Sequence, residues 1–159
     1  MGIYSVNKLI AETRRIAKEY RLATGKTLPV TPEIAINDAI SILELTANDK
    51  NKPGYDAVYT VGEERLKVQI KGRVIFNEKR QGHRLGQIKT EQEWDAIILV
   101  IMNADFMPDE IYMAKRYDIM DVLEDKIKNN KKGAMTIAQF KLISELLWTE
   151  QNGIEQDAV

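Results

Sequence analysis

The run Ala96-Ile97-Ile98-Leu99-Val100-Ile101 offers no polar residue to either side of an extended backbone. Successive side chains of a strand point to opposite faces, so a strand of this composition must be covered on both. The run therefore predicts the centre of a sheet with layers packed above and below it. Helix-forming segments stand before and after it in the chain, which makes an α/β architecture, a mixed central sheet flanked by helices, the expected class.

The rest of the chain supplies those layers. Residues 5–24 set Leu9, Ile10, Ile16 and Leu22 among Lys, Arg and Glu with no internal Pro or Gly, which predicts a helix stopped by Gly25. A second helix is predicted from Thr31 to about Leu45. Thr31 is its expected cap, Pro32 suits the first helical position, Glu33 adds a favourable charge to the first turn, and Ile36, Ala39, Ile40 and Leu43 follow helical spacing. From Tyr55 the period becomes two. Tyr55 to Val61, a turn at Gly62-Glu63, and Leu66, Val68 and Ile70 alternating with Lys67, Gln69 and Lys71 predict a β-hairpin. Val74 to Glu93 reads as a long irregular excursion. Glu110 to Ala114 is a further strand, Tyr117 to Ile127 a helix, and Thr136 to Trp148 a closing helix, with the chain fraying from Thr149. With no repeat or linker, a single domain over residues 1–150 and a flexible tail over 151–159 are expected.

Composition narrows the chemistry. The 159 residues contain no Cys and one His, His83, which excludes thiol catalysis, iron–sulfur clusters, cysteine-ligated zinc and a two-histidine zinc site within one chain. No apolar run approaches a membrane span, and the first residues do not lead into a signal-peptide segment, so a cytoplasmic chain with no membrane partner is expected. The net charge of −1 argues against a strongly basic nucleic-acid binder, yet it hides an asymmetry. Arg65, Lys67, Lys71, Arg73, Lys79, Arg80, Arg84 and Lys89 fall in one stretch whose only acidic residue is Glu78. Such a stretch suits a phosphate backbone, or equally a solvated loop.

The hairpin carries the most informative residues. Asp56 opens one strand, and Gln69 and Lys71, two apart, project from one side of the next. Phosphodiester hydrolysis needs oxygen ligands for a hard cation such as Mg²⁺ and a cationic group near the attacking water. Asp56 and Gln69 can offer oxygens and Lys71 the positive charge. The same letters also describe a half-exposed hairpin face that simply meets water.

At these residues the sequence resembles the PD-(D/E)XK nuclease superfamily, which has the restriction-endonuclease-like fold. Pro53 and Asp56 stand for its Pro-Asp pair, Gln69-Ile70-Lys71 for its acidic-x-Lys tripeptide, and Glu33 for the Glu supplied by a preceding helix. Thr31-Pro32-Glu33, Gly54-Tyr55-Asp56-Ala57, Gln69-Ile70-Lys71-Gly72-Arg73, Arg84-Leu85-Gly86, Trp94-Asp95-Ala96 and Phe140-Lys141 together resemble an uncharacterised bacterial family assigned to that superfamily. The resemblance implies a restriction-endonuclease-like core and Mg²⁺- or Mn²⁺-dependent cleavage of nucleic acid, DNA above all. It implies Asp56, Gln69 and Glu33 as metal ligands and Lys71 as the catalytic amine. Arg73, Lys79, Arg80, His83 and Arg84 would hold the phosphate backbone, and a homodimer would let two sites address two strands. The chain departs from the family pattern at Gln69, where an acid is expected, which removes one negative charge. A non-cleaving nucleic-acid-binding module of the same fold, or an interaction subunit without a nucleic-acid role, stays open at this point.

Overall fold

The computed structural model describes residues 5–48, 53–77, 83–128 (side chains to 126) and 135–155. Helix α1 spans Val6–Thr24, capped by the Ser5 hydroxyl, which accepts from the Lys8 N–H at 3.2 Å, and ended by Gly25 in the left-handed region. Helix α2 spans Thr31–Leu43. Its N-cap is Val30, with no side-chain capping bond, and not Thr31 as the sequence suggested. Val30 already has near-helical dihedrals, so Thr31 falls inside the first turn. The helix also stops two residues short of Leu45, because Glu44 turns to φ 54°.

The strands are β1 (Thr46–Ala47), β2 (Ala57–Val61), β3 (Glu64–Val74), β4 (Ala96–Met102), β5 (Pro108–Lys115), β6 (Glu145–Thr149) and β7 (Gly153–Ile154). Helices α3 (Arg116–Lys128) and α4 (Ile137–Leu142) lie between β5 and β6. The strands form one mixed sheet in sequential order, antiparallel throughout except for the parallel pair β3 and β4. Val61 pairs with Glu64, so Gly62-Glu63 is the expected two-residue turn. The chain between β3 and β4 makes the crossover that a parallel pair requires.

Strand β4 sits in the middle of the sheet, and every one of its residues is buried. Ile98, Val100 and Met102 join Val68, Ile70 and the α2 residues Ile34, Ala35 and Ala39 in one core. Ile97, Leu99 and Ile101 face a second core containing Leu85, Ile88, Trp94, Ile119 and Phe140. Both faces are covered, as the apolar run demanded, but one cover is built partly from the 85–94 excursion instead of from helix alone. Gly72 lets α2 lie close on β3: a Cβ there would stand 2.6 Å from that of Ala35. Helix α1 is tied to α2 by Arg14, which forks onto both Asp38 carboxylate oxygens at 3.0 and 2.7 Å and also donates to the Phe106 carbonyl.

The closing helix is a correction. Ile137, Phe140 and Leu147 have helical spacing, yet α4 ends at Leu142, and Leu146 and Trp148 pair with Tyr112 and Ile111 of β5. Sheet pairing with a distant strand overrides the local pattern. Strand pairing continues past Thr149, which is matched with both Glu110 and Gly153; residues 156–159 lie outside the described part. No helix among the described residues is long and apolar enough to cross a membrane.

Candidate active site

Strand alternation along β3 turns Leu66, Val68, Ile70 and Gly72 into the core under α2 and leaves Gln69, Lys71 and Arg73 on the opposite face. The hairpin register sets Ala57 against Val68, so Asp56, one residue before β2, comes beside Gln69 and Ile70. The Asp56 N–H donates to the Val68 carbonyl at 2.8 Å, and its Oδ2 accepts from the Ile70 N–H at 2.7 Å. The carboxylate is thus fixed by the backbone of the strand that carries Gln69 and Lys71. Asp56, Gln69 and Lys71 line one open cleft of about 360 Å³, together with Gln87, Lys89 and Gln92 of the excursion.

Electrostatics couples the two charged groups. Burial pushes the Asp56 carboxyl above the ordinary carboxylate range; the Ile70 N–H and Lys71 oppose the rise, and Glu33 adds to it. Burial lowers the Lys71 ammonium, as do Arg73 and Lys89, while Asp56 acts against them. A half-buried carboxylate and a half-buried ammonium thus each oppose the other's shift. The Lys71 Nζ donates to the Gln87 carbonyl at 3.1 Å, which aims it along the cleft wall.

Gln69 is held through its nitrogen. Nε2 donates to the Gly54 carbonyl at 2.9 Å and to Gln92 Oε1 at 3.2 Å. Gly54 adopts φ +103°, and a Cβ there would stand 3.0 Å from the backbone N and O of Glu93, so only glycine brings this carbonyl under the excursion. The excursion is itself clamped. The Arg116 guanidinium lies 4.3 Å from the Trp94 ring centroid and donates to the carbonyls of Gln92, Trp94 and Thr90, and the Trp94 indole N–H donates to the Lys89 carbonyl at 2.9 Å. Asp95 anchors the strand entry by accepting from the Lys67 N–H at 2.8 Å.

Glu33 is exposed in the first turn of α2, on the face of β3 opposite to Gln69 and Lys71; it reaches Asp56 as a charge and does not line the cleft. Arg73 donates to the carbonyls of Arg84 and Gly72, and burial lowers its guanidinium. Gly86 brings the excursion against both cations: a Cβ there would meet Arg73 Nη2 at 3.1 Å and Lys71 Nζ at 3.9 Å. Arg84 is exposed and forms an isolated bridge with Thr136, while His83 accepts from the Ile137 N–H through its carbonyl. The His83 Nε2 is buried with no partner among the described residues and lies away from the cleft. Lys79 and Arg80 lie outside the described residues. The sequence reading missed Gln92, whose role follows from a side-chain contact across the excursion that no local spacing encodes.

The donor set is oxygen-only. Asp56 offers its remaining carboxylate lone pairs and Gln69 its Oε1, with both Nε2 protons already used. Among the described residues no three His, Asp or Glu side chains gather. One carboxylate, one amide oxygen and waters suit Mg²⁺, which keeps much of its hydration when protein-bound. The fold class is mixed α/β, with a seven-stranded mixed sheet and an oxygen-lined cleft at the start of its parallel pair. The chain matches no family model and no curated protein.

Proposed function

We propose that the protein is a divalent-cation-dependent nucleic-acid phosphodiesterase with a restriction-endonuclease-like core, acting on DNA above all, and that the cleft around Asp56 and Lys71 is its active site. The observation that carries this reading is the convergence of the Asp56 carboxylate, the Gln69 amide and the Lys71 ammonium in one cleft, fixed by the Ile70 N–H, the Gly54 carbonyl and the Gln87 carbonyl respectively. Asp56 and Gln69 Oε1 would hold Mg²⁺ or Mn²⁺, with Glu33 adding negative charge from outside. The bound cation would supply Lewis-acid polarisation of a phosphoryl oxygen and an acidified water.

The chain's own residues account for the rest. Lys71 places its positive charge beside the cation's carboxylate, where the non-bridging oxygens of a phosphodiester would gather negative charge as the attacking oxygen bonds to phosphorus. Burial, with Arg73 and Lys89 nearby, lowers the proton affinity of that amine. Lys89, which also lines the cleft, and Arg73 beside Gly86 make the surroundings favourable for a phosphate.

The test is Mg²⁺- or Mn²⁺-dependent cleavage of single- and double-stranded DNA and RNA, with Asp56→Ala and Lys71→Ala as controls. Cleavage that needs the cation and falls by about 10²–10³-fold in each variant is expected, the scale of losing one preorganised electrostatic group. Cleavage unchanged in both variants would refute the site. No cation binding, and nucleic-acid binding that is absent or independent of salt, would refute the function.

A further inference from the structure

Gln69 stands where an acidic residue would complete the tripeptide, and its surroundings specify which of the two it must be. The Gly54 carbonyl is 2.9 Å from Nε2 and is an acceptor only. Gly54, at φ +103°, lies so near the Glu93 backbone that a Cβ would stand 3.0 Å from its N and O, which leaves its carbonyl little room away from Gln69. The group facing that carbonyl must therefore donate. The second Nε2 proton goes to Gln92 Oε1 at 3.2 Å, the Gln92 amide being turned with its oxygen to that donor. Gln92 is held in turn by Arg116, which donates to its backbone carbonyl at 2.8 Å. Two acceptors on one side of the side chain leave Oε1 as the atom for the cleft.

We infer that position 69 is specific for an amide: the Gly54 carbonyl and Gln92 form a receptor that orients Gln69 with its oxygen toward the cleft, and a carboxylate there weakens the site instead of restoring it. Glutamine is then a built component of the cleft and not the residue of a decayed one. Gln92 is a positioning residue, acting only through Gln69. The cation-directed half of this inference rests on the function proposed above; the hydrogen-bond half does not.

The experiment separates the two. In metal-free wild-type protein, the Gln69 side-chain amide is expected to show slowed hydrogen exchange and a through-bond scalar coupling from Nε2 to the Gly54 carbonyl carbon. Gln69→Glu is expected to melt about 4–8 °C below wild type in a chelator, the scale for a half-buried polar pair turned repulsive in a chain of this size. Adding Gln92→Lys, which removes the acceptor option and brings a positive charge, should recover part of that loss in the Gln69→Glu background and destabilise the wild type. Where the wild type cleaves nucleic acid, Gln69→Glu should lower its rate. An exchange-labile Gln69 amide without the coupling, or Gln69→Glu as stable as wild type, would overturn the inference. A wild type that neither binds Mn²⁺ nor cleaves would overturn the function while the metal-free readouts still decide position 69.

Discussion

Replacing Gly72 by alanine tests whether α2 is seated on β3 as described. The new methyl would stand 2.6 Å from Ala35 Cβ, 3.0 Å from Met102 Cε and 3.3 Å from Thr31 Cγ2. Carbon atoms rest about 3.5–4.0 Å apart, so the overlap with Ala35 is about 1 Å. Met102 can swing its terminal methyl aside. Ala35 cannot, because its Cβ is fixed to the helix backbone. Helix α2 must therefore lift, at a cost of about 1–3 kcal/mol for an overpacked core. Removing a glycine from the unfolded chain returns about 0.4–1 kcal/mol. A net loss of about 1–2 kcal/mol should lower the melting temperature by about 2–8 °C. Urea unfolding should give a lower midpoint at unchanged slope. Ala35→Gly alone should also destabilise, by about 1 kcal/mol of helix propensity, yet it should recover most of the loss in the Gly72→Ala background. A Gly72→Ala protein as stable as wild type, or a double variant showing simple additivity, would refute this packing.

Other outcomes follow from the same contacts. Asp38→Ala leaves Arg14 half-paired between α1 and α2 and should cost about 3–5 kcal/mol by denaturant unfolding, the usual penalty for breaking a buried ion pair. The folded Asp56 carboxyl titrates above its unfolded value, so its charge opposes folding above the folded pKa and has no effect below the unfolded one. Asp56→Asn, which keeps an acceptor for the Ile70 N–H, should therefore raise the melting temperature at neutral pH, with the gain fading as pH falls through the folded pKa. Saturating Mn²⁺ should stabilise the wild type and leave Asp56→Asn unmoved in the same melts. Arg116→Ala removes the clamp on Thr90, Gln92 and Trp94 and should cost on the order of 2 kcal/mol, with faster amide exchange over 89–95.

Much of the architecture was legible because its signals are local. Ser5 and Gly25 bracket α1, Gly62-Glu63 makes a two-residue turn, and the alternation of Val68 and Ile70 with Gln69 and Lys71 sorts β3 into a core face and a cleft face. Asp56 beside Lys71 followed from that alternation and from hairpin register alone. The segment 136–148 misled because its apolar residues fit a helix, whereas Leu146 and Trp148 are claimed by β5.

By itself the sequence determined that one strand must be buried on both faces, that no cysteine or two-histidine metal site can form within one chain, and that the polar residues of β3 share one face. These depend on side-chain chemistry and on periods of two or 3.6 along a single segment. Only the tertiary structure decided that Glu33 stays outside the cleft, that Arg73 turns to the Arg84 carbonyl, and that the Gln69 amide donates to the Gly54 carbonyl and to Gln92. Each of those depends on where the excursion and α2 come to rest against β3. That placement is set by packing between segments distant in the chain, and no local pattern encodes it.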